Sequence, residues 1–131
     1  MTESIIRILV ADDQPVVRKA LAMSLELEED FHVIGEARDG IEAVELAQSL
    51  GPDVVVLDLE MPHMDGILAT KLLRTAAPFV AVIIHTLYDL PELKQKTLEA
   101  GAFAFIPKHA LLDQLIAAVR EAAASKEEKG A

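Results

Sequence analysis

A chain of 131 residues, 52% of them hydrophobic, is long enough to bury one real core and too apolar to stay disordered. Its net charge of −10 offers no basic face to nucleic acid, so any DNA contact would have to come from an output segment outside these residues. No apolar run reaches the roughly 20 residues that cross a bilayer, so no membrane contact is expected. The opening MTESIIRILVADD turns acidic too early for a secretion signal, and the lack of cysteine excludes disulfides and thiolate chemistry, which fits a cytoplasmic protein.

Short apolar runs alternate with longer amphipathic stretches. Ile5–Ala11 reads as the first strand. Pro15 then suits the first turn of a helix in which Val17, Leu21 and Leu25 recur every fourth residue. Phe31–Ala37 is the second strand. Ile41–Ser49 is a helix with Ile41, Val44 and Ala47/Gln48 at helical spacing, closed by Gly51-Pro52. Val54–Leu57 is the third strand and Ile67–Ala76 the helix after it, ending near Pro78. Phe79–Ile84 is the fourth strand. The helix over Pro91–Ala100 carries Leu93 and Leu98 among Lys94, Gln95, Lys96 and Thr97, and should pack loosely. Ala104–Ile106 is the last strand, Pro107 marking it as a sheet edge because proline cannot donate to the ladder. Leu112, Leu115, Ile116 and Val119 stripe the final helix. The end, SKEEKGA, reads as a frayed tail or the start of a linker, which sets a domain at 1–124 and a tail at 125–131.

The strands lack polar alternation, as strands covered on both faces do. Five strand–helix units in succession predict an α/β fold, a doubly wound, parallel five-stranded sheet with helices on both faces. Ligands of such sheets sit beyond the carboxyl ends of the strands. There the sequence places Asp12-Asp13 after the first strand, Asp58 after the third, Thr86 after the fourth and Lys108 after the fifth. Three carboxylates cannot crowd together uncompensated, because two of them about 4 Å apart repel by roughly 4 kcal/mol at an effective dielectric near 20. Hard oxygen donors without His or Cys select Mg²⁺ or a similar ion. A divalent cation beside a carboxylate and an ammonium suits phosphoryl transfer, with Asp58 as nucleophile and Thr86 and Lys108 holding phosphoryl oxygens. Taken alone, Asp12-Asp13 would be turn residues, Thr86 a strand former and Lys108 a solvated lysine; their joint spacing argues otherwise. Neither GxGxxG nor GxxxxGK[ST] is present.

ILVADDQPVVR, Asp39-Gly40, VVVLDLEMPHMDG, IIHT and GAFAFIPK, in this order, resemble the response-regulator receiver domain of two-component systems over about Ile5–Ala124. The resemblance implies the flavodoxin-like strand order 2-1-3-4-5 and Asp58 as the phosphoacceptor. It implies Mg²⁺ held by Asp13, Asp58 and the carbonyl of Glu60, with Asp12 as second acid through water. Thr86 would be the switch hydroxyl, Lys108 the phosphate-binding lysine and Phe105 the switch aromatic. It also implies a sensor histidine kinase as phosphodonor partner and homodimerisation on phosphorylation. The function would be a phosphorylation-dependent switch working through the fourth-helix/fifth-strand face, a signalling module that assists its own phosphorylation and dephosphorylation rather than an enzyme. DDQPVVRKAL and AFIPKH are most similar to the subgroup with a helix-turn-helix DNA-binding output, hence transcription. Three positions depart from the pattern: His109 follows Lys108 where proline is common, Phe105 replaces a common tyrosine, and His85 stands where an apolar residue is usual.

Two rivals are weighed. A dehalogenase-like phosphatase also uses an aspartate nucleophile, Mg²⁺ and a lysine, but its nucleophile ends the first strand in a DxD pattern, whereas here that strand ends in DDQ. A phosphorylation-independent interaction module has no need of the complete acidic set.

Overall fold

The computed structural model describes residues 4–130, with side-chain surroundings through Lys126. Five strands and five helices alternate: β1 Ile6–Ala11, α1 Pro15–Glu26, β2 Phe31–Ala37, α2 Gly40–Leu50, β3 Val54–Leu57, α3 Gly66–Ala76, β4 Ala81–Thr86, α4 Pro91–Glu99, β5 Ala104–Pro107 and α5 Leu112–Gly130. All pairings are parallel and the order is β2-β1-β3-β4-β5, so Pro107 lies on an edge strand.

The alternation of side chains divides the core in two. On one face Leu9, Val55, Leu57, Val82, Ile84 and Phe105 pack under α2, α3 and α4. On the other Ile8, Val10, Val54, Val56 and Ile83 pack under α1 and α5, meeting Leu25, Leu115 and Val119. Local chemistry sets the helix ends. Pro15 and Pro91 occupy the first turns of α1 and α4, where no N–H is needed. Asp39 and Asp65 cap α2 and α3 by accepting from the N–H groups of Glu42 at 2.8 Å and Leu68 at 2.9 Å. Gly51 ends α2 at φ 60°, a left-handed conformation that glycine adopts without strain.

Several predicted details shift. Phe79, read as strand, is 84% exposed in the turn before β4. α1 buries Arg18, Ala22 and Leu25 where an apolar stripe of Val17, Leu21 and Leu25 is expected; Val17 and Leu21 are only half-buried because the helix is turned to bring Arg18 inward. α2 buries Gly40, Ala43 and Ala47 and leaves Ile41 exposed, since small residues let it sit close to the sheet. α4 buries Thr97 alone, in keeping with a loosely packed helix. α5 continues to Gly130, into the segment read as a frayed tail, since Ala, Lys and Glu are strong helix formers.

Candidate phosphoacceptor site

Parallel strands bring their carboxyl ends to one rim. β1 delivers Asp12 and Asp13 and β3 delivers Asp58, each with a carboxylate oxygen within 4.8 Å of the others. β5 delivers Lys108, whose Nζ donates to Asp12 Oδ2 at 2.8 Å and to Asp58 Oδ2 at 3.4 Å. A cleft of about 780 Å³ opens over them, lined among others by Asp13, Asp58, Glu60, Tyr88 and Lys108.

Asp12 is 3% exposed and fully engaged. Its Oδ1 accepts the N–H of Gln14 at 2.9 Å, its Oδ2 takes Lys108, and its carbonyl accepts Nη1 of the buried Arg18 at 2.9 Å. Arg18 in turn donates to Glu36 of β2 at 3.0 Å. Asp12 therefore anchors the turn and the lysine, while Asp13 is exposed toward the cleft. Burial pushes the Asp58 carboxyl above its usual range; Lys108 opposes this and the charge of Asp12 adds to it. For Lys108, burial works against the ammonium, but the hydrogen bond to Asp12 and the charges of Asp58 and Asp12 carry it above the ordinary lysine value. The rim thus holds three carboxylates against one ammonium, with Asp58 ill-solvated as an anion. All-oxygen donors this close fit a hard divalent cation.

Backbone geometry keeps the β3–α3 loop clear of the acid. A Cβ on Gly66 would stand 2.5 Å from the Asp58 carbonyl oxygen and 2.9 Å from Leu59 Cα, so only glycine lets α3 start here. His63, at φ 70°, forms a tight turn in which the Met64 N–H donates to the Pro62 carbonyl at 2.8 Å.

Not every predicted site residue joins the cleft. Thr86 is fully buried; alternation puts it on the α3/α4 face, and its Oγ1 accepts the Tyr88 N–H at 3.2 Å. Phe105 is buried on the same face with Ile84 and half-buried Leu93. Glu60 lines the cleft, and its Oε2 accepts from the Tyr88 hydroxyl at 3.2 Å, joining the β3–α3 and β4–α4 loops across the mouth. Arg18 is the participant sequence reasoning missed. Its signal is a basic residue one step from Val17, on the side of α1 that turns inward.

The family model for the response regulator receiver domain matches residues 8–120. The chain is 41% identical over 128 residues to a protein-glutamate methylesterase/protein-glutamine glutaminase of Pyrococcus abyssi, covering 90% of this chain and 35% of that protein. It is 37% identical over 123 residues to the transcriptional regulatory protein YxjL of Bacillus subtilis, covering 94% and 56%. In three dimensions it superimposes on the signal receiver domain of the response regulator NarL from Mycobacterium tuberculosis with a TM-score of 0.88 at 32% identity, covering 92% and 98%. The chain belongs to the response regulator receiver domain family. Receiver domains are signalling modules that bind Mg²⁺ at an acidic pocket, and Asp12, Asp13 and Asp58 form such a pocket here. The chain spans about a third to just over half the length of these curated relatives, whose remaining parts differ in kind: one is an esterase, the other a transcriptional regulator.

Proposed function

We propose that this chain is a phosphorylation-dependent switch in which Asp58 accepts a phosphoryl group from a phosphohistidine on a sensor histidine kinase. The observation that carries the reading is the meeting of Asp12, Asp13, Asp58 and Lys108 at one rim from three strands. Asp13, Asp58 and the Glu60 carbonyl would hold Mg²⁺, with Asp12 behind them through water. Bound there, the ion would neutralise phosphoryl charge and bring it in line with the carboxylate.

Asp58 attacks phosphorus through one carboxylate oxygen. An O–P bond forms, the donor's N–P bond breaks, and the departing imidazole takes a proton. Lys108 is already on Asp58 and has only to shift toward the new oxygens. Thr86 must give up its bond to the Tyr88 N–H to reach them, which pulls on the β4–α4 loop. Phe105 lies on the same face of the sheet, paired with Ile84 two residues before Thr86, so the same movement bears on β5 and the thinly anchored α4. Tipping such a pair of states from 1:99 to 99:1 takes roughly 5.5 kcal/mol, within the range of a few charge-assisted hydrogen bonds. The switch is reset when water displaces Asp58 from phosphorus, and Glu60 and Tyr88 stand where that water must enter.

A partner has to reach Asp58 over the cleft. Val16, Ala20 and Met23, at helical spacing on the outward face of α1, stay exposed along the helix that starts at this rim, which supports docking of an amphipathic helical partner. The receiver is taken as residues 1–124, with 125–131, helical to Gly130, as the start of a connection. Cytoplasmic location and homodimerisation through the α4–β5 side follow from the same reading. The output is transcription through a DNA-binding domain; the P. abyssi esterase supports the alternative of an enzyme under receiver control.

The test is incubation with Mg²⁺ and acetyl phosphate, followed by intact mass. One base-labile, acid-stable phosphate per chain, absent in Asp58→Asn, is expected. Steady release of inorganic phosphate from phosphomonoesters would instead favour a phosphatase, and failure to bind Mg²⁺ at millimolar concentration would favour a phosphorylation-independent module.

A further inference from the structure

One polar side chain at the rim has no role in this scheme. His85 is the penultimate residue of β4. Leu57 pairs with Ile84, so Asp58 and His85 stand one step further along adjacent strands. His85 also pairs with Ile106, two residues before Lys108. Ile83 belongs to the α1/α5 side of the core with Val56 and Ile106, and alternation returns His85 to that side together with Asp58 and Lys108. The imidazole therefore stands in the row between Asp58 of β3 and Ile106 of β5, one same-face step before Lys108, whose Nζ reaches back to Asp58.

Its chemistry is unusual for that place. Nδ1 is sealed from solvent and has no hydrogen-bond partner. A buried polar atom left unpaired costs about 1–3 kcal/mol, which an aliphatic side chain of similar size would not. Burial first, and the nearby Lys108 ammonium second, bring the histidine down to about 4 against the opposing charge of Asp12, so the ring is neutral near pH 7 and carries a lone pair. Lys108 supplies the complement: an ammonium has three N–H donors, and only two are aimed at Asp12 and Asp58.

We propose that His85 is a positioning residue acting through Lys108, its unpaired ring nitrogen steadying the ammonium from the sheet side as the lysine leaves Asp12 for the incoming phosphoryl oxygens. This rests on the reading of Asp58 as phosphoacceptor. No group is transferred to the histidine; it receives a hydrogen bond and returns it.

The test measures initial phosphorylation by acetyl phosphate at saturating Mg²⁺, with thermal midpoints, for the wild-type chain, His85→Leu, His85→Gln, Lys108→Ala and the His85→Leu/Lys108→Ala pair. The expected result is a loss of about tenfold in His85→Leu with an unchanged or higher midpoint, the size usual for residues that orient a reacting group. His85→Gln, which keeps an acceptor, recovers most of the rate. In the Lys108→Ala background His85→Leu changes the rate by less than about twofold, since a residue acting through the lysine has nothing left to act on. A His85→Leu rate within about twofold of wild type overturns the proposal, as does an equal loss with and without Lys108, or a slow His85→Gln whose midpoint falls in step with its rate. A wild-type chain that takes up no phosphate would overturn the phosphoacceptor reading and this proposal with it; normal uptake with indifferent His85 variants overturns this proposal alone.

Discussion

The two ends of the sheet use the same residue types to opposite effect. At the amino end, Arg120 of α5 donates to Glu28 at 2.8 Å and to Asp30 at 2.9 Å and lies over the Phe31 ring. Asp53 accepts the Arg7 N–H at 2.8 Å and Lys126 at 3.1 Å. These pairs are largely solvated and mutually satisfied; the hydrogen bond from Arg120 holds Asp30 below the usual carboxylate range. At the carboxyl end, three carboxylates share one lysine and burial drives Asp58 toward its neutral form. One end is electrically balanced. The other keeps an electrostatic deficit that a cation and a phosphoryl group can answer.

Removing the acceptor should separate the ends most sharply. In Asp58→Asn we expect uptake of phosphate from acetyl phosphate to vanish while the thermal midpoint rises, because burial raises the pKa of Asp58 and the folded state therefore disfavours this charge. A fall in the midpoint would mean that Asp58 is a satisfied ion pair like those at the amino end. Lys108→Ala should come next. Losing the cation that holds phosphoryl oxygens should slow phosphorylation by roughly 10²–10³-fold. The same change should tighten Mg²⁺ binding, measured by calorimetry, because one positive charge has left the carboxylates.

Acid should weaken the carboxyl end through His85. Its folded value of about 4 lies below the unfolded 6.5, so the unfolded chain takes up the proton first and stability falls as pH drops from 6.5 toward 4. The full shift corresponds to about 3 kcal/mol. Urea unfolding at pH 7 and pH 4.5 would show it, and His85→Leu should flatten that part of the profile. Sterics give a smaller effect: Gly66→Ala forces a methyl to 2.5 Å from the Asp58 carbonyl oxygen and should cost about 1–3 kcal/mol, with slower phosphorylation because the acceptor's own backbone is displaced.

The rim was readable in the sequence because it follows from topology: once each strand end is located, the parallel order brings Asp12, Asp13, Asp58 and Lys108 together whatever the helices do. β2 and β3 fall where the apolar runs put them, and β5 is the edge that Pro107 implies. The depth of individual side chains was not readable. Nothing in PVVRKAL says that α1 turns Arg18 inward, because that rotation is set by the Glu36 carboxylate of β2 and the Asp12 carbonyl. Phe79 resembles a strand residue in composition, yet the sheet pairs Ala81 with Val54, leaving the ring in the turn before it. The positions of Thr86 and Phe105 on the far face depend on alternation along their strands, which the apolar runs conceal because both faces are buried.

The amino end supplies the smallest and most diagnostic effect. Arg120 carries the densest ion-pair network among the described residues, but its partners are partly solvated, and exposed pairs are worth only about 0–1 kcal/mol. Its contact with the Phe31 ring adds about 0.5–1 kcal/mol at such a site. Arg120→Met keeps an unbranched apolar side chain but removes the charge that faces the carboxylates and the ring, so we expect a loss near 1 kcal/mol in urea unfolding, shrinking as salt is raised. Phosphorylation at Asp58 should be unchanged. If Arg120→Met instead altered the phosphorylation rate at equal stability, the two ends would be coupled along α5, and a rim that works by local charge alone would no longer describe this domain.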